Sequence, residues 1–161
     1  MTAKILWVWS SVLNLLVKKF NRQLLSGRVM MGKLSEKVLE ALLETMPIEF
    51  SVIDENDKVQ AWNKHETRIF RRPSNVIGKD VRDCHPKKSL HKVEQILQEM
   101  KESTRNKARF WIDLTIDGDP QKVLIEYYAL RDIDGKYRGC LEATQNITDI
   151  QTLTGEKRLL D

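Results

Sequence analysis

Residues 108–145, ARFWIDLTIDGDPQKVLIEYYALRDIDGKYRGCLEATQ, decide the fold class. In 108–116, Ala108, Phe110, Ile112, Leu114 and Ile116 alternate with Arg109, Trp111, Asp113 and Thr115. Across 122–130, Val123, Ile125 and Tyr127 alternate with Leu124, Glu126 and Tyr128. A third stretch, 137–145, sets Tyr137, Leu141 and Ala143 on one face. A period of two predicts half-buried strands, because successive side chains of a strand point to opposite faces. Asp117-Gly118-Asp119-Pro120 and Asp132-Ile133-Asp134-Gly135 supply the turns between them. Connections this short imply antiparallel neighbours.

Upstream, 48–63 predicts a further hairpin. Ile48, Phe50 and Val52 form the apolar side of its first strand against Glu49 and Ser51, and Asp54-Glu55-Asn56-Asp57 turns the chain into Lys58–Asn63. Between the two strand regions, 64–84 is punctuated by Pro73, Ser74, Asn75 and Gly78, with room for short helical turns near 65–70 and 74–77. Leu90, Val93, Ile96, Leu97 and Met100 recur at steps of three and four, which predicts a helix over 87–102 opened by Pro86. The same spacing of Leu34, Val38, Ala41, Leu42 and Thr45 predicts a helix over 34–45, stopped by Pro47. The tail 149–160 is predicted to be helical. The expected architecture is therefore α+β: a five-stranded antiparallel sheet, with helices inserted after strand 2 covering one face and helices flanking it at both ends.

The chain has 161 residues, 41% hydrophobic and 31% charged, which is the composition of one globular domain. Its net charge of +4 is unevenly placed. Residues 1–30 carry five basic residues and no acid, which leaves 22 bases against 23 acids in 31–161. The domain thus has no electrostatic claim on nucleic acid. Cys84 and Cys140 have no metal-type spacing and suggest no disulfide framework, so a reducing, cytoplasmic setting is expected.

Residues 1–30 read as a leader separate from the domain at 31–161. The apolar run 5–17, ILWVWSSVLNLLV, is shorter than the ~20 residues of a membrane span. No small-residue cleavage site follows it. A membrane-surface helix burying Trp7, Trp9 and Leu15 is one reading, and membrane contact is expected only on that reading. In the other, Gly27-Arg28-Val29-Met30-Met31 is a translated ribosome-binding site and the natural start is Met30 or Met31.

The element order and several strings resemble the PAS superfamily: IEFSVIDENDKVQAWN as its opening strands, VIGKDVRDCHP as the segment before its long helix, and Asp132–Gly139 as the turn before its last strand. Thr144-Gln145-Asn146-Ile147-Thr148 stands where PAS domains carry an Asp-Ile-Thr closing motif, with Asn146 replacing the usual Asp. IFRRPSNVIGKDVRDCHPKKSLHKVEQIL and EATQNITDIQTLTGEKRLLD are similar to the PAS-like C-terminal domain of bacterial and archaeal proteins that begin with a hemerythrin-like metal-binding domain. The resemblance implies a sensor of small molecules, cofactors or redox state that passes a change to flanking helices. No kinase, cyclase or DNA-reading segment accompanies it, so the expected output is another polypeptide, an unidentified downstream signalling protein.

His91 sits on the long helix a few residues after Pro86, an offset close to that of the iron-binding His of heme PAS domains, and heme is the cofactor it would imply. Cys84 and His85 are a second pair: a thiolate ligand or redox switch, and a cap or pocket closer. Trp62, Phe70, Ile96, Phe110 and Tyr127 could line a pocket between sheet and helix or simply fill the core. His65 lies on a polar stretch. Three histidines and two cysteines at irregular spacing make no zinc set, and neither a Gly-rich phosphate loop nor a nucleophile elbow is present. A non-enzymatic sensor is expected. The alternative is a ligand-free dimerisation module pairing through helices 34–45 and 149–160.

Overall fold

Apolar residues spaced by two need a covered sheet face, and the chain supplies the cover from the segment between its second and third strands. The computed structural model describes residues 34–63 and 68–159. The readings of the leader and of His65 lie outside the described residues. The chain divides into two compact units, Met1–Thr45 and Met46–Asp161. In the first, α1 spans Glu36–Thr45 and has Glu36 in its first turn, where an acid suits the helix dipole. Val38 and Leu42, one turn apart, are exposed.

The second unit holds the strands β1 (Glu49–Asp54), β2 (Val59–Trp62), β3 (Lys107–Ile116), β4 (Asp119–Arg131) and β5 (Tyr137–Asn146), all antiparallel, in the order β2-β1-β5-β4-β3. Helix α2 (Leu90–Lys101) follows three single 3₁₀ turns at Ser74–Val76, Val81–Cys84 and Lys87–Ser89. Its stripe of Val93, Leu97 and Met100 joins one core with Ile53, Ala108, Val123, Ile125, Tyr127 and Cys140. Arg131 crosses from β4 to cap it, donating at 2.7 Å to Met100 O, a last-turn carbonyl that also accepts from Ser103 N.

Two strand faces differ from the alternation expected. In β1 the buried residues are Glu49, Ser51 and Ile53, while Phe50 and Val52 are half-buried on the other side. Periodicity alone fixes which residues share a face, not which face the helix covers. In β5 the register slips where Leu130 pairs with Gly139 but Arg131 with Tyr137. That bulge leaves Tyr137 in the core and puts Cys140, Glu142 and Thr144 on the covered face, with Leu141 and Ala143 opposite.

The tail also differs. No helix runs through 149–159; one 3₁₀ turn forms at Ile150–Thr152. Thr152 Oγ1 donates to Asp149 O at 2.7 Å, Leu153 is extended, and Gly155 takes a φ of +63°. A side chain competing for the carbonyl and a left-handed residue both oppose helix propagation. A dimer contact through a helix at 149–160 is thereby removed. Asn146 keeps the closing turn in place without a carboxylate: its Oδ1 accepts from Thr148 N at 3.0 Å, and Thr148 Oγ1 accepts from Lys122 N at 2.8 Å.

Gly139 makes the bulge sterically workable. Its φ is +136°, and a Cβ there would collide with the carbonyl oxygen of Ile53 on β1. Gly139→Ala is expected to lower unfolding free energy by about 1–3 kcal/mol, the range for a residue forced into a glycine-only conformation. Urea denaturation of both forms measures it.

Candidate functional site

The covered face of the sheet is polar where β1 meets β5. Ser51 lies beside Glu142 and Glu49 beside Thr144 across that pair, and Tyr127 lies beside Glu142 on β4. Glu49 is only 6% exposed and Thr144 2%. A buried carboxylate requires hydrogen bonds and an opposite charge, and the chain brings both in the strap at 68–72. Glu49 accepts from the backbone N–H groups of Ile69 and Phe70. The Arg68 guanidinium stands 3.9 Å from Glu49. It donates to Ser51 Oγ at 3.0 Å, Asn63 O at 2.7 Å and Phe70 O at 2.7 Å. Asn63, also buried, links β1 to the end of β2 by accepting from Phe50 N and donating to Ile48 O. These demands keep 68–70 out of the helical turn expected there.

Two residues further on, Arg72 reaches Glu142 at 3.1 Å. That pair borders a cavity of about 30 Å³ between sheet and α2. Apolar walls come from Ile53, Val59, Val81, Val93 and Leu97, and polar groups from Ser51, Arg72, His85, Tyr127 and Glu142. The volume holds roughly two waters, at about 10–15 Å³ each. His85 Nδ1 lies 2.9 Å from Val81 O. A carbonyl only accepts, so the proton is on Nδ1 and Nε2 is left to accept from Tyr127 OH, 3.4 Å away. Burial pushes the Tyr127 phenol up, and the neighbouring Glu142 adds to it, so the hydroxyl keeps its proton.

Of the residues singled out from sequence, Cys84, His85 and Tyr127 line this cavity together. Phe110 packs edge-on against Tyr127 with ring centres 5.6 Å apart. Trp62 is buried in the core, and Phe70 and Ile96 pack half-buried against it. None of these four borders the cavity. His91 is exposed and lies off the α2 stripe that faces the sheet. Sequence reasoning misses Ser51 and Glu142 because the apolar rows of β1 and β5 point to the opposite face as the inward one, and it misses Arg72 because that residue lies in an irregular segment with no period to place it. The signal is a carboxylate within an otherwise apolar strand, Glu49 at the head of β1 and Glu142 inside β5.

Heme does not fit these residues. Small-molecule pockets run to about 300–1,000 Å³, against about 30 Å³ here. His91 points away, and both nitrogens of His85 are engaged.

A model of the PAS domain family matches residues 39–148. The chain belongs to the PAS domain family, a family of sensory modules. The same fold appears in the C-terminal domain of a Streptococcus mutans protein, at 28% identity and a TM-score of 0.70 over 78% of this chain and 95% of that one. It appears too in the PAS domain of BvgS from Bordetella pertussis, at 17% identity and 0.54 over 70% and 85%. A third is VqmA of Vibrio cholerae, solved bound to DPO, at 18% and 0.54 over 71% and 58%. No curated protein matches the chain.

Neither thiol of this PAS domain is activated. Burial pushes Cys84 up despite the pull of Arg72, and burial pushes Cys140 up to about 12. A redox-switch thiol has the opposite shift. At pH 8, Ellman's reagent is expected to modify both cysteines rapidly in denaturant and far more slowly in the folded protein. Rapid reaction of the folded form at Cys84 would contradict this.

Asp80 anchors the cavity wall at Val81. Burial would raise its carboxyl, but the Arg82 N–H at 3.0 Å and Lys58 Nζ at 3.1 Å outweigh it and bring it to about 2. A depressed carboxylate stabilises the fold fully above its unfolded value of about 3.9, and the contribution is lost as pH falls through about 2. Asp80→Asn is expected to flatten the pH dependence of stability in that window.

Proposed function

We propose that this PAS domain is a cytoplasmic sensor without enzymatic activity of its own. It takes a small polar molecule into the cavity between sheet and α2 and signals through a partner protein. The observation that carries this reading is the convergence of Ser51, Arg72, His85, Tyr127 and Glu142 on an otherwise apolar cavity. An apolar pocket with a few placed polar groups is the usual form of a binding site. The binding of DPO by VqmA, which shares the fold, agrees with it. Size restricts the ligand to a molecule of a few heavy atoms, and Arg72 suits one that carries an acidic group. Such a group would take Arg72 over from Glu142, since guanidinium and carboxylate match in shape and charge. Among the described residues no helix is long and apolar enough to cross a membrane.

A second reading is a ligand-free interaction module. Its support is the exposed pair Val38 and Leu42, one turn apart on α1, with exposed Leu34 just before the helix, which suits a partner helix.

Native mass spectrometry and thermal denaturation with a panel of short carboxylic acids separate the two. A matching acid is expected to stabilise the fold by about 2.7 kcal/mol at a hundredfold excess over its Kd. Arg72→Ala should abolish that gain. Added hemin should show only free-hemin absorbance. A bare chain with an unmoved Tm for every acid would leave the interaction module.

A further inference from the structure

The two edges of the sheet are finished differently. β2 has four residues, and the following segment covers its outer side. Val59 N donates to Lys79 O at 3.0 Å, Gly78 N to Val59 O at 2.8 Å and Val81 N to Asp57 O at 2.9 Å. β3 has ten residues, pairs with β4 in an unbroken register, and no described strand pairs with its other side. Ala129 N donates to Asn106 O, which sets the phase of the β3–β4 ladder. Even-numbered residues of β3 turn their main-chain groups to β4, and Lys107, Arg109, Trp111, Asp113 and Thr115 turn theirs to the open edge. Proteins blunt such an edge with a proline, a bulge, an inward charge or charged side chains along it. β3 has only the last, in Lys107, Arg109 and Asp113, and its inward residues are Ala108, Phe110, Ile112, Leu114 and Ile116. Trp111, at its centre, is 63% exposed.

We propose that β3 pairs edge to edge and antiparallel with β3 of a second copy of this chain, with Trp111 opposite the partner's Trp111. The order of charge selects this occupant. The exposed face of the strand reads Lys107, Arg109, Trp111, Asp113, Thr115, with cations at one end and an anion at the other. Turned about Trp111, Arg109 lies opposite the partner's Asp113, and Lys107 opposite the partner's Thr115. Within each chain Arg109 already bonds Glu126 at 2.6 Å and Asp113 bonds Lys122. The row across the junction becomes Glu126, Arg109, the partner's Asp113, the partner's Lys122. Its sign alternates at every step, and the two-fold axis repeats it. Registers centred on Arg109 or Asp113 would instead oppose like charges, which destabilises a strand pair. The product is one continuous sheet of ten strands, made by main-chain bonds of the kind used in strand addition.

Complementation between two variants of the full chain tests this. Arg109→Asp leaves only acids at the two positions, and Asp113→Arg only bases, so each variant repels its own copy. Sedimentation is expected to show the unsubstituted chain as a dimer, each variant alone as a monomer, and an equal mixture as a dimer again. Circular dichroism checks that both variants fold. Trp111→Cys should give a disulfide-linked dimer on mild oxidation, because directly opposed residues of this kind lie about 5.5 Å apart at Cα, within disulfide range. Val38→Glu with Leu42→Glu in α1 should leave the dimer intact. A monomeric unsubstituted chain, single variants that stay dimeric, a monomeric mixture, or loss of the dimer on changing α1 would each overturn the proposal.

Discussion

Everything in the second unit depends on the pairing of β1 with β5. Six residue pairs, from Glu49 with Thr144 to Asp54 with Gly139, join the first strand to the last. Without them the β1–β2 hairpin would part from the β3–β4–β5 meander, and a two-stranded hairpin alone is marginally stable at best. The pairing also brings the strap at 68–72, Val81–Cys84 and α2 to the covered side of the sheet. The 3₁₀ turns, α2 and the cavity owe their position to it.

The centre of that pairing is where the sequence departs from an apolar core. Four inward positions on the two strands are polar: Glu49, Ser51, Glu142 and Thr144. A hydrocarbon interior penalises each of them that is left unpaired, as the Thr144 hydroxyl is. For Glu49, Ser51 and Glu142 the strap at 68–72 answers with two guanidiniums and two backbone N–H groups. It therefore stabilises the sheet and shapes the cavity at once. Removing one member of a buried ion pair costs about 3–5 kcal/mol, more than an apolar replacement of both would. A polar centre of this kind is a poor way to gain stability and a good way to hold Arg72 and Glu142 at a fixed geometry.

Much of the fold was legible in the sequence. All five strands, α1 and α2 carry strong periods and end at residues with physical reasons to end them, such as Pro47 and Gly135. β3 and β4 were legible to the face. What could not be read was the inward side of β1, because Phe50 and Val52 supply a convincing apolar row on the wrong face. The face of β5 was hidden by a bulge that only the contact of Gly139 with Ile53 explains. The site was correspondingly half legible. Cys84, His85 and Tyr127 stand out by residue type, whereas Ser51, Arg72 and Glu142 matter only through a register joining positions ninety residues apart. The tail misled because apolar spacing outweighed Gly155 and the competing hydroxyl of Thr152.

The polar inner face has a consequence for the nascent chain. β1 and β2 leave the ribosome long before β5 exists to pair with them, and non-local strand pairing is slow even once all parts are present. An early hairpin with an apolar inner face would spend that interval as a sticky surface, the usual route to misassembly. With Glu49, Ser51 and Asn63 set among Ile53, Val59 and Trp62, the waiting hairpin is partly wetted. The same side chains that are hardest to bury in the finished sheet protect it while it is incomplete.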